Sequence, residues 1–187
     1  KPTIVINTPK AGANVNVDED GSVTVTGTAT DNKGVQSVVL IVNGVPINTV
    51  TLEKPGATST NFTCVLNFSS SAYGSFTIQA QATDGNSNST TSATRTFKTL
   101  RPLLVGISGF GTVTAGYAPK SFREVGAPQT LTATPGAGFL FEGWTILGSH
   151  TAAQIGLSAA SLAKNTITFM HRVDLVLQAT FVANPYT

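Results

Sequence analysis

Apolar and polar residues alternate with a period of two through much of the first half of the chain. From Ser22 to Thr30, apolar or small residues take the odd positions, and threonines follow Ser22 at the even ones. In a strand, neighbouring side chains point to opposite faces, so this segment predicts a half-buried strand with a Thr-coated outer face. Asp31-Asn32-Lys33-Gly34 reads as a turn. A more apolar strand follows from Val35 to Val42, and Asn43-Gly44 is a hairpin signal into a strand from Val45 to Leu52. Pro55-Gly56 breaks the chain again. Phe62, Cys64, Leu66 and Phe68 share one face of the next strand, and Phe76, Ile78, Ala80 and Ala82 share one face of another. Asp84-Gly85-Asn86 turns into a last strand from Ser92 to Thr99, and Ile4 and Ile6 mark a first one. About seven strands in about 100 residues is the pattern of an immunoglobulin-like sandwich.

The second half has another rhythm. Gly109-Phe110-Gly111-Thr112-Val113 opens it, and Gln129 to Thr134 alternates until Pro135-Gly136-Ala137-Gly138 stops it. Phe139 to Trp144 is an aromatic strand whose Gly143 marks a bulge or a close backbone approach. Gly148 to Asn165 is the longest stretch without strand pattern, with one short helix expected between Leu157 and Ala163. Ile167 and Phe169, then Leu175, Leu177, Ala179 and Phe181, complete the apolar alternation. Leu100-Arg101-Pro102 separates the two rhythms. The expected organisation is mainly all-β: an N-terminal immunoglobulin-like β-sandwich over residues 1–100 and a small β-rich domain over 101–187.

Composition agrees with strands and narrows the function. Only 11% of the 187 residues are charged, against roughly 25% in an ordinary soluble domain. Polarity comes instead from Thr, Ser, Asn and Gln, and 18 Gly and 9 Pro punctuate the chain. A net charge of +2 from scattered groups gives no nucleic-acid footprint. No run of about 18 apolar residues exists to span a membrane as a helix. One Cys excludes an internal disulfide and a cysteine metal cluster. The chain opens on Lys-Pro-Thr and carries no signal-peptide pattern, so we expect a piece of a longer protein.

Candidate chemistry is sparse. Asp31 and Asp84 each end an Ala-Thr-Asp segment, followed by Asn32 or by Asn86 and Asn88. In a seven-strand sandwich these turns share one end, where their oxygens could serve calcium, which takes six to eight. The competing reading is that each Asp caps its own turn, and two carboxylates are little charge for a calcium site. Asp18-Glu19-Asp20 before Gly21 reads as a solvated turn rather than an ion site. Trp144, the sole Trp, stands beside Phe139 and Phe141 and near Tyr117 in reading order. As an exposed platform it would stack on a sugar, with His150 nearby in sequence. The expectation is instead a core residue packed with Phe139, Phe169 and Phe181, returned to the inner face by a bulge at Gly143. His150 and His171 lack metal spacing and read otherwise as ordinary surface or turn histidines. Ser149-His150 and the Ser69-Ser70-Ser71 run lack the base and orienting group of a nucleophile. Glu124, Glu142 and Asp174 have no assignable pairing for glycoside hydrolysis. Cys64 reads as a core thiol. Asn61, Asn67 and Asn88 fit the glycosylation pattern, which arises readily in a Thr-rich chain.

The first half resembles bacterial Ig-like domains. The matching residues are Pro2 to Pro9 with Gly12, the strand ending Ala29-Thr30-Asp31, the Val38 to Gly44 hairpin entry, and Tyr73-Gly74-Ser75-Phe76 leading to Ala82-Thr83-Asp84. The second half resembles the divergent bacterial repeat related to the internalin B repeat. Its motifs are Gly109 to Val113, Leu131 to Pro135, Gly138 to Trp144, Thr168-Phe169-Met170 and Gln178-Ala179-Thr180-Phe181. The segment between Trp144 and Ile167 departs from that pattern, which usually has a shorter acidic loop. These resemblances imply non-catalytic spacer, stalk, adhesion or accessory-binding modules of a secreted or cell-surface bacterial protein. They imply no cofactor. The implied partners are a cell-surface protein or glycan and neighbouring domains of the parent chain, with no nucleic acid and no membrane insertion of this segment.

Overall fold

The structure is a computed structural model that describes residues 1–18, 21–69 and 71–186. Strands hold 58% of the described residues and helices 4%, so the fold is all-β. Its contacts divide it into two units, Lys1–Thr99 and Leu100–Thr187.

In the first unit, β1 (Thr3–Thr8), β2 (Ala13–Asn16), β3 (Ser22–Thr30), β4 (Val35–Val42), β5 (Val45–Ile47), β6 (Thr51–Leu52), β7 (Ser59–Asn67), β8 (Gly74–Asp84) and β9 (Ser89–Thr91) precede β10 (Arg95–Ser108). One sheet runs β1-β3-β7-β6, and the facing sheet runs β10-β8-β4-β5, with β2 on β10 and β9 on β8. This is sandwich topology, antiparallel along both sheet orders β1-β3-β7-β6 and β10-β8-β4-β5, and the alternation of the sequence explains it. Val23, Val25 and Ala29 from β3 are buried with Phe62, Cys64 and Leu66 from β7, against Leu40, Ile78, Ala80 and Ala82 of the other sheet. Phe76 is only half-buried, stacked on Phe97 with ring centroids 5.7 Å apart. Gly27 interrupts the inward row of β3 because the Phe62 ring takes the space: a Cβ there would lie 2.3 Å from that ring and from the Val5 carbonyl.

The outward row is threonine, and its hydroxyls bond across strands. Thr3 and Thr30 are 2.6 Å apart, and Thr8 and Thr26 are 2.7 Å apart. The same device recurs in the second unit, at Thr130–Thr168 and Thr132–Thr166, each 2.9 Å.

Two strand assignments differ from expectation. The strand expected from Val45 to Leu52 is two strands: β5 pairs with β4 in one sheet, whereas β6 pairs with β7 in the other. The chain changes sheets between them, and Pro46, which lacks an N–H, suits the short edge strand β5. The strand expected from Ser92 to Thr99 is divided at Ser92, whose hydroxyl takes the Ala80 N–H at 3.0 Å in place of a ladder partner. β10 pairs with β8 over Arg95–Thr99.

The second unit adds β11 (Gly111–Val113), β12 (Lys120–Arg123), β13 (Pro128–Pro135), β14 (Phe139–Leu147), β15 (Thr166–Met170) and β16 (Val176–Ala183). β14, β16 and the end of β10 form one layer, in which β10 and β16 are parallel, and β12 pairs on β10. β11-β13-β15 forms the other layer. Their inner rows meet: Leu103, Val105, Leu177, Ala179 and Phe181 from one, Leu131, Ala133, Ile167 and Phe169 from the other. The segment between β14 and β15 holds a 3-10 turn, Ala153–Ile155, and one helix, α1 (Ala159–Leu162). The helix is shorter than the expected span. Ser158 caps it, its Oγ accepting from the Ser161 N–H at 3.2 Å.

Candidate functional site

Asp31 directly follows β3 and Asp84 ends β8, and each is held by a turn of its own. Asp31 Oδ1 accepts the Lys33 N–H at 2.7 Å. Asp84 Oδ1 accepts the N–H groups of Asn86 and Asn88, both at 2.8 Å, and its Oδ2 accepts the Asn88 side-chain amide at 2.9 Å. These are side-chain to backbone turns of the kind Asp favours. The Asn88 side-chain bond, followed by the two backbone N–H bonds, holds the Asp84 carboxyl below its ordinary value, against the opposing effect of burial. The turns are neighbours, because Val35 at the start of β4 pairs with Asp84. Gly34 lets a third loop approach: it has φ of 87°, and a Cβ would stand 2.2 Å from the Gly56 carbonyl. Asp31 also faces the terminal ammonium of Lys1 at 3.6 Å.

Trp144 is 4% exposed. The register of β14 on β16 shifts between Phe141 and Gly143, which inserts one residue and returns Trp144 to the inner face. Its ring meets Phe141 edge-on at 5.9 Å, and Phe141 meets Phe181 at 5.8 Å. The indole N–H donates to the Lys164 carbonyl at 3.1 Å, tying the strandless segment to the core. Tyr117 lies under the Arg123 guanidinium at 4.0 Å and donates its hydroxyl to Gln129 at 3.0 Å. His150 is half-buried, and its Nε2–H donates to the Val173 carbonyl at 2.7 Å.

His171 departs from the surface reading: it is fully buried. Its backbone N–H donates to Ala127 and its carbonyl accepts from Gly126, at 3.1 and 2.8 Å. Burial pushes its imidazole down to about 4, and the charges of Arg123 and His150 act in the same direction. The Arg101 backbone opposes the shift without meeting full hydrogen-bond geometry at either ring nitrogen. The signal was present in the sequence, because His171 continues the inward phase of Ile167 and Phe169. Cys64 is 1% exposed, with the Thr49 hydroxyl 3.9 Å from its sulfur. Glu19, Asp20 and Ser70, parts of the acidic and serine runs, lie outside the described residues. Among the described residues, no three of His, Cys, Asp or Glu gather as metal ligands would. Among the described residues, no helix is long and apolar enough to cross a membrane.

Two family profiles match consecutive parts of the chain. Residues 2–80 match the bacterial Ig domain, and residues 104–185 match the divergent InlB B-repeat domain. Each half therefore has the family resemblance its motifs indicate, in the same order. Domains of these kinds are typically non-catalytic and typical of extracellular or surface proteins. No curated protein matches the chain. Among solved structures, the endo-beta-1,4-mannanase from Thermotoga petrophila aligns with 54% of this chain at 13% identity and TM-score 0.42, and the chain spans 20% of its length. The fibronectin(III)-like modules of CbhA from Clostridium thermocellum align over 97% of this chain and 94% of theirs, at 12% identity and TM-score 0.42. Dimeric latent PorU from Porphyromonas gingivalis aligns with 98% of this chain and 20% of its own, at 12% identity and TM-score 0.41. Likenesses this distant carry no functional argument.

Proposed function

We propose that this chain is a pair of non-catalytic modules, spacer or adhesion elements, in a larger secreted or cell-surface bacterial protein. The observation that carries the reading is the succession of a bacterial Ig domain and a divergent InlB B-repeat domain along one chain. The neutral, Thr-coated surface and the closure of both halves on apolar cores support it. Residues 1–100 and 101–187 are proposed to fold as separate domains, each with a core of its own.

A second reading, a glycan- or protein-binding accessory module, draws on Phe110. The residue is 59% exposed, its ring backed by Phe139 at 5.8 Å and by Gly136, where a Cβ would meet it at 2.2 Å. Rigid loops on a β scaffold commonly carry binding.

Calorimetric unfolding of the whole chain, beside glycan and surface-protein arrays, tests both. The spacer reading expects two unfolding transitions and no saturable ligand. A saturable glycan lost in Phe110→Ala would transfer the assignment to the accessory reading, and a single transition would refute separate domains.

A further inference from the structure

One short stretch of the β4 edge meets no strand. Along β8, Asp84 and Ala80 turn their backbone groups away from β4: the Asp84 N–H donates to the Asn88 carbonyl at 3.0 Å, and the Ala80 carbonyl accepts the Ser92 N–H at 2.8 Å. Backbone direction alternates along an antiparallel ladder, so Ala82, between them, turns the same way. Val35, Val38 and Leu40 stand opposite Asp84, Ala82 and Ala80, the register shift after Val35 keeping it in this phase. The N–H and C=O groups of these three residues therefore point off the other edge of β4. At Val35 the loop after β6 meets them: the N–H donates to Ala57 at 2.9 Å, and the carbonyl accepts from Gly56 at 2.7 Å. At Leu40 the partner is Ile47 of β5. At Val38 β5 has already ended, and no group of the described residues bonds either atom. Val38 is only 6% exposed, and shielding an unmet N–H and C=O from water is costly. The edge opens here on a hollow of about 390 Å³ between residues 36–39 and Asn48, Val50, Leu52 and Pro55. No charged side chain lines it.

We propose that this hollow takes an extended, uncharged segment of a partner polypeptide, which adds a short strand to β4 beyond β5 and exchanges two backbone bonds with Val38. Strand addition of this kind draws affinity from the main chain and specificity from alternate side chains. Opposed residues of a ladder share a face, so the residue opposite Val38 points inward, toward the half-buried Val50 and Leu52, and is apolar. Its two neighbours turn outward beside Ser37 and Val39. Ile47 bounds the slot at one end and the Gly56 contact at the other, so a segment of about three residues fits. A charged side chain would lose water there and find no counter-charge, which favours a neutral segment. A glycan lacks the paired N–H and C=O that the Val38 edge matches, so the occupant is a peptide. The slot belongs to the first unit alone, and it stands whether the chain is a spacer or an accessory module.

Titration of the whole chain with the capped peptide acetyl-Thr-Val-Thr-amide, followed by amide NMR, tests this. The expected result is saturable binding, millimolar for so short a segment, with shifts centred on the amides of Ser37, Val38 and Val39. Hydrogen exchange of the Val38 amide should slow at saturation, while that of Leu40, already bonded within the sheet, stays as it was. The same peptide N-methylated at its valine cannot donate to the Val38 carbonyl and should bind about tenfold more weakly or worse. A capped Thr-Asp-Thr peptide should also bind more weakly. The probes vary in the peptide and leave the protein unaltered, so no result turns on a variant that fails to fold. Absence of shifts at Val38 up to the solubility limit of the peptide, shifts confined to other parts of the chain, unchanged Val38 exchange at saturation, or equal binding of the N-methylated peptide would each overturn the proposal.

Discussion

Acid should weaken the second unit through His171. The ring is buried beside the Arg101 backbone and in the field of Arg123 and His150, and its folded value is about 4 against an ordinary 6.5. Between those two values the unfolded chain takes up a proton that the folded unit refuses. Stability from this residue is therefore complete above 6.5 and falls as pH drops toward 4. At about 1.4 kcal/mol per pH unit, the loss reaches about 3 kcal/mol, a large share of the stability of a small domain. Urea unfolding at a series of pH values measures it, followed by the emission of Trp144, the sole Trp, which lies in the same unit's core. His171→Gln, which cannot take the proton, should remove most of the slope in that window whatever its effect at neutral pH. A parent stability that stays level down to pH of about 4.5, or an equal slope in the variant, would refute the reasoning.

Three further outcomes follow from packing and turns. Gly27→Ala should destabilise the first unit by about 1–3 kcal/mol, because the new methyl overlaps the Phe62 ring and the Val5 carbonyl; chemical denaturation followed by circular dichroism would show it. Trp144→Ala should cost the second unit about 3–5 kcal/mol, and the parent emission should be blue-shifted and poorly quenched by iodide, as burial requires. Asp84, its carboxyl held low, lends the first unit stability that is present above the ordinary 3.8 and lost as pH falls through the lowered folded value; Asp84→Ala should flatten that acid limb in pH-dependent melting.

Much of the first unit was readable because a two-residue period is a direct imprint of one buried face. Phe62, Cys64 and Leu66 needed no tertiary information to be placed inward, and the structure buries all three. The period says nothing about which sheet a strand joins. The run from Val45 to Leu52 therefore looked continuous, although the chain leaves β4 for β7 within it. Trp144 sits three positions after Phe141, out of phase for a strand, and the bulge expected at Gly143 is the register shift that restores it. His171 was in phase with Ile167 and Phe169, but its polarity masked the signal, since an imidazole is seldom buried without partners. At the Asp31 and Asp84 turns, residue type suggested both capping and ion binding. The hydrogen bonds account for Asp84 fully and for one oxygen of Asp31, which is the asymmetry sequence could not carry.

The cross-strand threonine pairs have an environmental consequence. A face whose polarity lies in hydroxyls bonded to one another presents few fixed charges for mobile ions to screen. Coulomb forces between surface charges fade once the Debye length shrinks to a few ångströms in strong brine, but hydroxyl pairs and buried methyls do not depend on that field. Ions that order water would act on this molecule mainly by making exposure of its apolar interior less favourable. The choice of Thr over Lys and Glu along β3 and β13 therefore leaves little for charge screening to change at these faces.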